Sequence, residues 1–175
     1  MRTVLVSLGL ALLAIVAAGL HYYLPQRDIV YITGVETPQE TETVSRGGES
    51  VTISKSTREI HAVRPDGSVI VYHNADAPWY FKWDSADLHA KASQLTSSEK
   101  DPTWTVVTHY GWRITFLSWF PNAIDIRPAD GPDEELFPWL NIVLITLGIV
   151  LILVIRRLIL IAFDRFTDAV GLDEK

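Results

Sequence analysis

Two long apolar runs bracket a middle of alternating and mixed positions. From Thr3 to Leu20 the chain carries no charge, with Arg2 before it and His21, Tyr22 and Tyr23 after it. That length suits a membrane-crossing helix over residues 3–24, ended at Pro25, whose ring removes an amide donor. A cleavable signal peptide shares the basic start, the apolar run and the small residues Ala17, Ala18 and Gly19. The length of the run and the paired tyrosines, suited to the headgroup level, favour a retained anchor. The second run places another span over residues 136–157. Its first twenty residues rise about 30 Å as a helix. Fifteen of those from Leu136 to Ile155 are Leu, Ile, Val or Phe, contributing on the order of −7 kcal/mol to insertion and outweighing Asn141. Trp139 marks one interface and Arg156 with Arg157 the other. In the tail, residues 158–175, Ile159, Phe163, Phe166 and Val170 recur at helical spacing and predict a helix lying on the inner leaflet. Arginines outside both runs put both termini in the cytoplasm of a bacterial inner-membrane protein, leaving the middle periplasmic or extracellular.

The middle, residues 25–135, reads as β-rich. Asp28–Glu36 is rich in β-branched residues and predicts a strand, followed by a polar loop from Thr37 to Ser50. Val51–Val63 alternates, Arg64–Ser68 supplies turn chemistry, and Val69–His73 returns, so these form a hairpin about Asp66 and Gly67. After Trp79–Trp83 comes a helix to about Leu95, with Asp84 or Ser85 at its cap. Thr103–His109 and Trp112–Phe120 predict two strands about Tyr110 and Gly111, and Ala123–Arg127 a last short one. Five or six strands and one helix make the expected class an α+β membrane protein: two transmembrane helices flanking a small, all-β, barrel-like extracytoplasmic domain with one helix, closed so that no edge is exposed.

Charge narrows the partners. The chain has a net charge of −6; from His21 to Glu135 it has 10 basic against 17 acidic residues, or −7. An acidic domain without a basic stripe argues against nucleic acid and against adhesion to anionic lipid. The chain has no cysteine, so disulfides, thiolate metal sites and a Cys nucleophile are excluded. Aromatic residues crowd between Tyr72 and Phe120, including five of the six tryptophans. In so small a domain Trp79, Phe81, Trp83, Trp104, Trp112 and Phe120 are expected to build the core, each burying about 150–250 Å². The alternative is an exposed aromatic platform for a sugar, peptide or partner protein, or a ring of tryptophans on the outer leaflet.

Candidate chemistry is sparse. His61, His73, His89 and His109 show no helical ligand spacing, and no nucleophile elbow, phosphate loop or glycine fingerprint is present. Asp84 and Asp87 suit the first turn of the helix, where carboxylates complement its positive end. Gly131–Glu135 reads as a solvated juncture before the second run. Gly111 supplies the positive φ of a tight turn, and Pro121 and Asn122 end one strand and enter the next. Arg113 is expected to stack on Trp112 or to pair with Asp84 or Asp87.

The segments FKWDSADLHAKA (Phe81–Ala92), THYGWRI (Thr108–Ile114) and SWFPNAIDI (Ser118–Ile126) resemble the signatures of a bacterial membrane family known as domain of unknown function 1523. The first span and the loop Thr37–Ser50 carry little of the likeness. The resemblance implies an envelope protein and supplies no catalytic residue. The expectation is therefore a non-enzymatic, membrane-anchored interaction module, an accessory or assembly subunit whose partners are the bilayer and another envelope membrane protein. Trp83, Asp84, Asp87, Tyr110, Trp112, Arg113, Trp119 and Asn122 are its partner-binding or structural candidates; no catalytic, metal or cofactor residue is assigned. Gly148 with Ala14, Ala17, Ala18 and Gly19 permits close helix approach. The alternative is a sensor of a small molecule or cation that signals through the spans, and an envelope enzyme ranks third.

Overall fold

A computed structural model describes the backbone of residues 2–46 and 49–170 and the side chains of residues 7, 8, 10–39 and 56–163. The chain divides into two units, residues 1–136 and 137–175. In the first, helix α1 (Arg2–Tyr23) leads directly into β1 (Gln26–Glu36), followed by β2 (Gln39–Arg46), β3 (Glu49–Ser56), β4 (Glu59–Val63), β5 (Val69–His73), α2 (Ser85–Gln94), β6 (Trp104–Tyr110) and β7 (Asn122–Pro128). The second unit is one helix, α3 (Trp139–Val170).

The fold is mixed α+β around a five-stranded sheet ordered β1-β4-β5-β7-β6, and β6 pairs in turn with β1, so the ladder closes on itself. Alternate residues point inward: Val30 and Ile32, Ile60 and Ala62, Ile70 and Tyr72, Val107, Ala123 and Ile126, with Leu88 and Ala92 of α2 covering them. All pairings are antiparallel except β5 with β7, which meet in parallel through the single pair His73 and Asn122. That seam includes the bond from His73 N–H to the Pro121 carbonyl at 2.9 Å. The Asn122 side chain adds two more, accepting from Ala75 N–H at 2.8 Å and donating to the Ala75 carbonyl at 3.1 Å. The β4–β5 hairpin turns where expected, with Gly67 at a φ of +81° that a side chain would strain.

Several sequence expectations change. The polar stretch Thr37–Ser50 is not a loop: β2 and β3 form a separate two-stranded hairpin, in register from Gln39 opposite Ser56 to Arg46 opposite Glu49. Thr41, Thr43, Val44, Val51, Thr52 and Ile53 provide the β-propensity that the charged residues among and between them masked. Trp112–Phe120 is not a strand; after β6 the chain makes a short 3₁₀ turn at Thr115–Leu117 with Ile114 bridged to Trp119. Asp84 occupies the N-cap position of α2 without a side-chain capping bond; the Asp76 carboxylate accepts Ser85 N–H at 3.3 Å instead. The helix is fastened to the sheet by Leu88, Ala92 and an exposed Lys91–Asp125 pair at 3.6 Å rather than by Arg113.

Among the described residues one helix, not two, is long and apolar enough to cross a membrane: Trp139–Phe163, 25 residues with a mean hydropathy of 2.7. In α1 the corresponding apolar stretch is the shorter Leu10–Tyr23. No break follows Arg156 and Arg157; α3 runs on to Val170, because LILIAF holds no proline or glycine to stop it. A separate interfacial helix is thus not formed, while the side chains of Phe166 and Val170 and residues 171–175 lie outside the described residues.

Candidate functional site

The aromatic residues expected in the core stand largely outside it. Apart from Tyr72 the core is aliphatic, and Trp79 is 65%, Phe81 83%, Trp83 63%, Phe116 86% and Trp119 51% exposed. The sequence itself shows why: Trp79, Tyr80, Phe81 and Trp83 are nearly contiguous, and neither a strand nor a helix turns successive side chains to one face.

Two loops of the same construction display them. In the first, Ala77 bridges Lys82 across a 3₁₀ turn, Pro78–Tyr80, with Phe81 left-handed at φ 52°. In the second, Ile114 bridges Trp119 across Thr115–Leu117, with Ser118 left-handed at φ 50°. Non-glycine residues rarely adopt this conformation, at a cost of roughly 1–2 kcal/mol each, and hold it where surroundings dictate it.

For the first loop the surroundings are polar and buried. Lys82 is only 4% exposed among its exposed neighbours. Its Nζ donates to Asn74 Oδ1 at 2.7 Å, to the Ala75 carbonyl at 2.9 Å and to the Ala123 carbonyl at 2.8 Å. Three acceptors match the three ammonium donors, which is what allows a lysine to be buried without an ion pair. Burial still pushes its pKa down to about 8. Asn74 in turn donates to the Ser85 carbonyl at 2.7 Å, tying the loop to the start of α2. For the second loop, the Arg113 guanidinium lies 4.2 Å over the Phe120 ring and donates to the Trp119 carbonyl at 3.0 Å. It stacks on Phe120, neither on Trp112 nor against Asp84 or Asp87, because the turn at 114–119 folds Phe120 back beneath it.

Both loops are linked to the end of α1. Tyr80 stacks on Tyr110 at 5.1 Å, and Tyr110 and Trp112 meet the Tyr22 ring edge-on at 6.3 and 5.3 Å. Gly111 N–H donates to the Tyr22 carbonyl at 2.9 Å, Trp112 Nε1 to His21 Nδ1 at 2.9 Å, and Gln26 Nε2 to the His21 carbonyl at 2.9 Å. Gly111 suits this joint because its φ of +92° would strain any side chain.

A second polar cluster lies within the sheet. Asp28 Oδ2 accepts from Tyr72 Oη at 2.6 Å and from Arg64 Nη2 at 2.8 Å, with His109 Nε2 at 3.3 Å. Burial alone pushes the Asp28 pKa up, but His109, Tyr72 and Arg64 together outweigh it and hold the carboxyl well below the usual range. Burial and Asp28 push the Tyr72 phenol well up. His61 and His73 both flank Glu59, at 3.4 and 3.6 Å; among the described residues no three His, Asp or Glu side chains converge as a metal cage. Near the end of the unit Glu134 binds Arg127 and accepts Asp130 N–H at 2.9 Å, so the acidic juncture there is in part folded.

Of the eight candidates, Trp83, Asp84, Asp87, Arg113 and Trp119 are exposed, Tyr110 and Trp112 form the joint with α1, and Asn122 is a buried seam residue. Sequence reasoning placed Trp79 and Phe81 in the core, with an exposed platform as the alternative, and singled out neither Phe116 and Leu117 nor Lys82 as the anchor of the first loop. The contiguous aromatics were a usable signal for the first loop; nothing local marked Lys82.

The model of the family described as protein of unknown function (DUF1523) matches residues 1–163, including α1 and the β2–β3 hairpin. An uncharacterized protein of Haemophilus influenzae is 32% identical over 136 residues, covering 69% of this chain and 72% of the relative. No solved structure matches.

Proposed function

The chain belongs to the family described as protein of unknown function (DUF1523), and from its exposed aromatic loops we propose that it is a non-enzymatic, membrane-anchored interaction module, an accessory or assembly subunit that docks on a second envelope membrane protein. The observation that carries this reading is the pairing of exposure with rigidity. Trp79, Phe81, Phe116 and Trp119 stand in solvent, on turns held by bridges, left-handed residues and, in the first, a buried lysine. Rigid aromatic anchors lose little entropy on binding and are the residues in which interface energy concentrates. A lipid surface requires apolar area but not fixed geometry, so the strain at Phe81 and Ser118 favours a shaped protein partner.

In this reading α1 and α3 both anchor the chain, the arginines at each end keep both termini in the cytoplasm, and the closed, barrel-like domain lies on the outer side of the inner membrane. The contacts between His21–Tyr22 and Tyr110–Trp112 then set the aromatic loops near the level at which α1 leaves the bilayer, where a membrane-protein partner is within reach. A photo-crosslinking amino acid placed at Phe81 or Phe116 in intact cells tests the proposal. It expects a discrete protein adduct at both positions and none at exposed Val69; lipid adducts alone would replace the protein partner by the bilayer surface.

A further inference from the structure

The sheet carries a second feature, which shares only Trp112 and Arg113 with the aromatic loops and their joint to α1. A cleft of about 320 Å³ lies beside the last turn of α1, walled by Gln26, Asp28, Arg64, His109, Trp112 and Arg113. We propose that this cleft binds a phosphate group, carried either by a lipid headgroup or by a free anion.

The charge of the wall runs against that of the domain. Two guanidinium groups face one carboxylate, in a segment with seven more acidic than basic residues. The carboxylate, Asp28, is already covered by Arg64, Tyr72 and His109, so it presents little repulsion to an incoming anion. The arginines are far from saturated. Arg64 spends Nη2 on Asp28 and Arg113 spends Nη1 on the Trp119 carbonyl, while each guanidinium has five donors. Both are held in place beforehand, Arg64 by that ion pair and Arg113 by the Phe120 ring. Forked, pre-positioned guanidinium groups are the side chains best matched to phosphate oxygens.

A third observation is His109, which is 5% exposed, lies with Nε2 3.3 Å from Asp28 Oδ2 and, among the described residues, has no well-aligned hydrogen-bond partner at either ring nitrogen. A buried polar group left so calls for an explanation. A phosphate oxygen in the cleft would supply an acceptor beside it.

Its location limits the source. Gln26 and Trp112 both bond to His21, so the cleft is at the height of the end of α1; with α1 as an anchor that is the headgroup layer. The full-length chain in detergent, titrated with inorganic phosphate against chloride at equal ionic strength, should gain thermal stability, because a ligand of the folded state raises Tm. Arg113→Gln, at an exposed residue outside the core, should weaken phosphate binding about 10- to 100-fold, the loss expected for one charged hydrogen bond; Arg64→Gln should do the same if it folds. In nanodiscs, retention of phosphatidylglycerol over phosphatidylcholine that free phosphate competes away assigns the headgroup as source; a shift with phosphate and no lipid retention assigns the free anion. No shift beyond chloride together with no lipid retention, or a shift unchanged in Arg113→Gln, overturns the site.

Discussion

Replacing Lys82 by methionine removes one ammonium while keeping the length and most of the volume of the side chain. Asn74 Oδ1 and the Ala123 carbonyl lose the ammonium as a partner, and the Ala75 carbonyl is left with Asn122 Nδ2 alone. A hydrogen bond to a charged group contributes about 1.5–3 kcal/mol, and an orphaned buried acceptor costs about 1–3 kcal/mol. Against this stands the release from burying a charge, several kcal/mol in its own right. Asn74 also retains its bond to the Ser85 carbonyl and Ala75 its bond from Asn122, and the Ala123 carbonyl can admit water where the loop lifts. The balance is a net loss of about 2–4 kcal/mol, which for a domain of this size lowers Tm by roughly 10–20 °C. Tryptophan fluorescence during thermal unfolding of the full chain reads that change. Limited chymotrypsin digestion reads its location, since Trp79, Tyr80 and Phe81 become cleavable once the bridge between Ala77 and Lys82 opens. A variant as stable as the parent, with no new cleavage between residues 77 and 83, would refute the claim that Lys82 holds the aromatic loop rigid.

Other outcomes follow from the same contacts. Because burial holds the Lys82 pKa at about 8 against an ordinary 10.5, the unfolded chain keeps a proton that the folded one has released, so stability should rise from pH 8 toward pH 10 and the rise should vanish in Lys82→Met. Above pH 10 the slope should reverse, since burial and Tyr110 hold Tyr80 up to about 12 while an unfolded tyrosine ionises near 10.0; ultraviolet-monitored melts across this range check both signs. Asp28, held below the usual carboxylate range, stabilises the fold above its ordinary 3.8 and loses that contribution as pH falls below it, so Asp28→Asn should cost about 1.5–3 kcal/mol at pH 7 and flatten the acid limb of the stability curve. Gly111→Ala should cost about 1–2 kcal/mol through its φ of +92°; a spin-label pair across Tyr22 and Tyr110 should broaden if the joint with α1 loosens.

The parts of the fold legible in the sequence were those with a local cause. The β4–β5 hairpin follows from the turn residues at 64–68, α2 from the cap candidates Asp84 and Ser85 at its start, and α3 from unbroken hydrophobicity. What escaped was set by partners distant in the chain. Whether Trp83 is core or surface depends on Val30, Ile60 and Val107 having already filled the interior, and composition carries no trace of that. The same holds for α2, whose capping carboxylate is Asp76 rather than the adjacent Asp84. Lys82 reads as an ordinary surface lysine because its acceptors come from residues 74, 75 and 123. At the candidate site, Tyr110, Trp112, Arg113 and Asn122 were found for their unusual neighbours, yet their partners Tyr22, His21, Phe120 and Ala75 were not.

The position of β1 has a bearing on synthesis. It pairs on one side with β4 and on the other with β6, Gln26 lying opposite His109. At about 5–20 residues per second, roughly 4–15 s separate the making of Glu36 from that of Tyr110. For that interval the nascent chain has an unprotected strand beside α1. The β4–β5 hairpin, completed sooner, shields one of its flanks through β4. The other waits for β6, so the newly made chain is most exposed to proteases and to mispairing just before the Tyr22, Tyr110 and Trp112 joint can form.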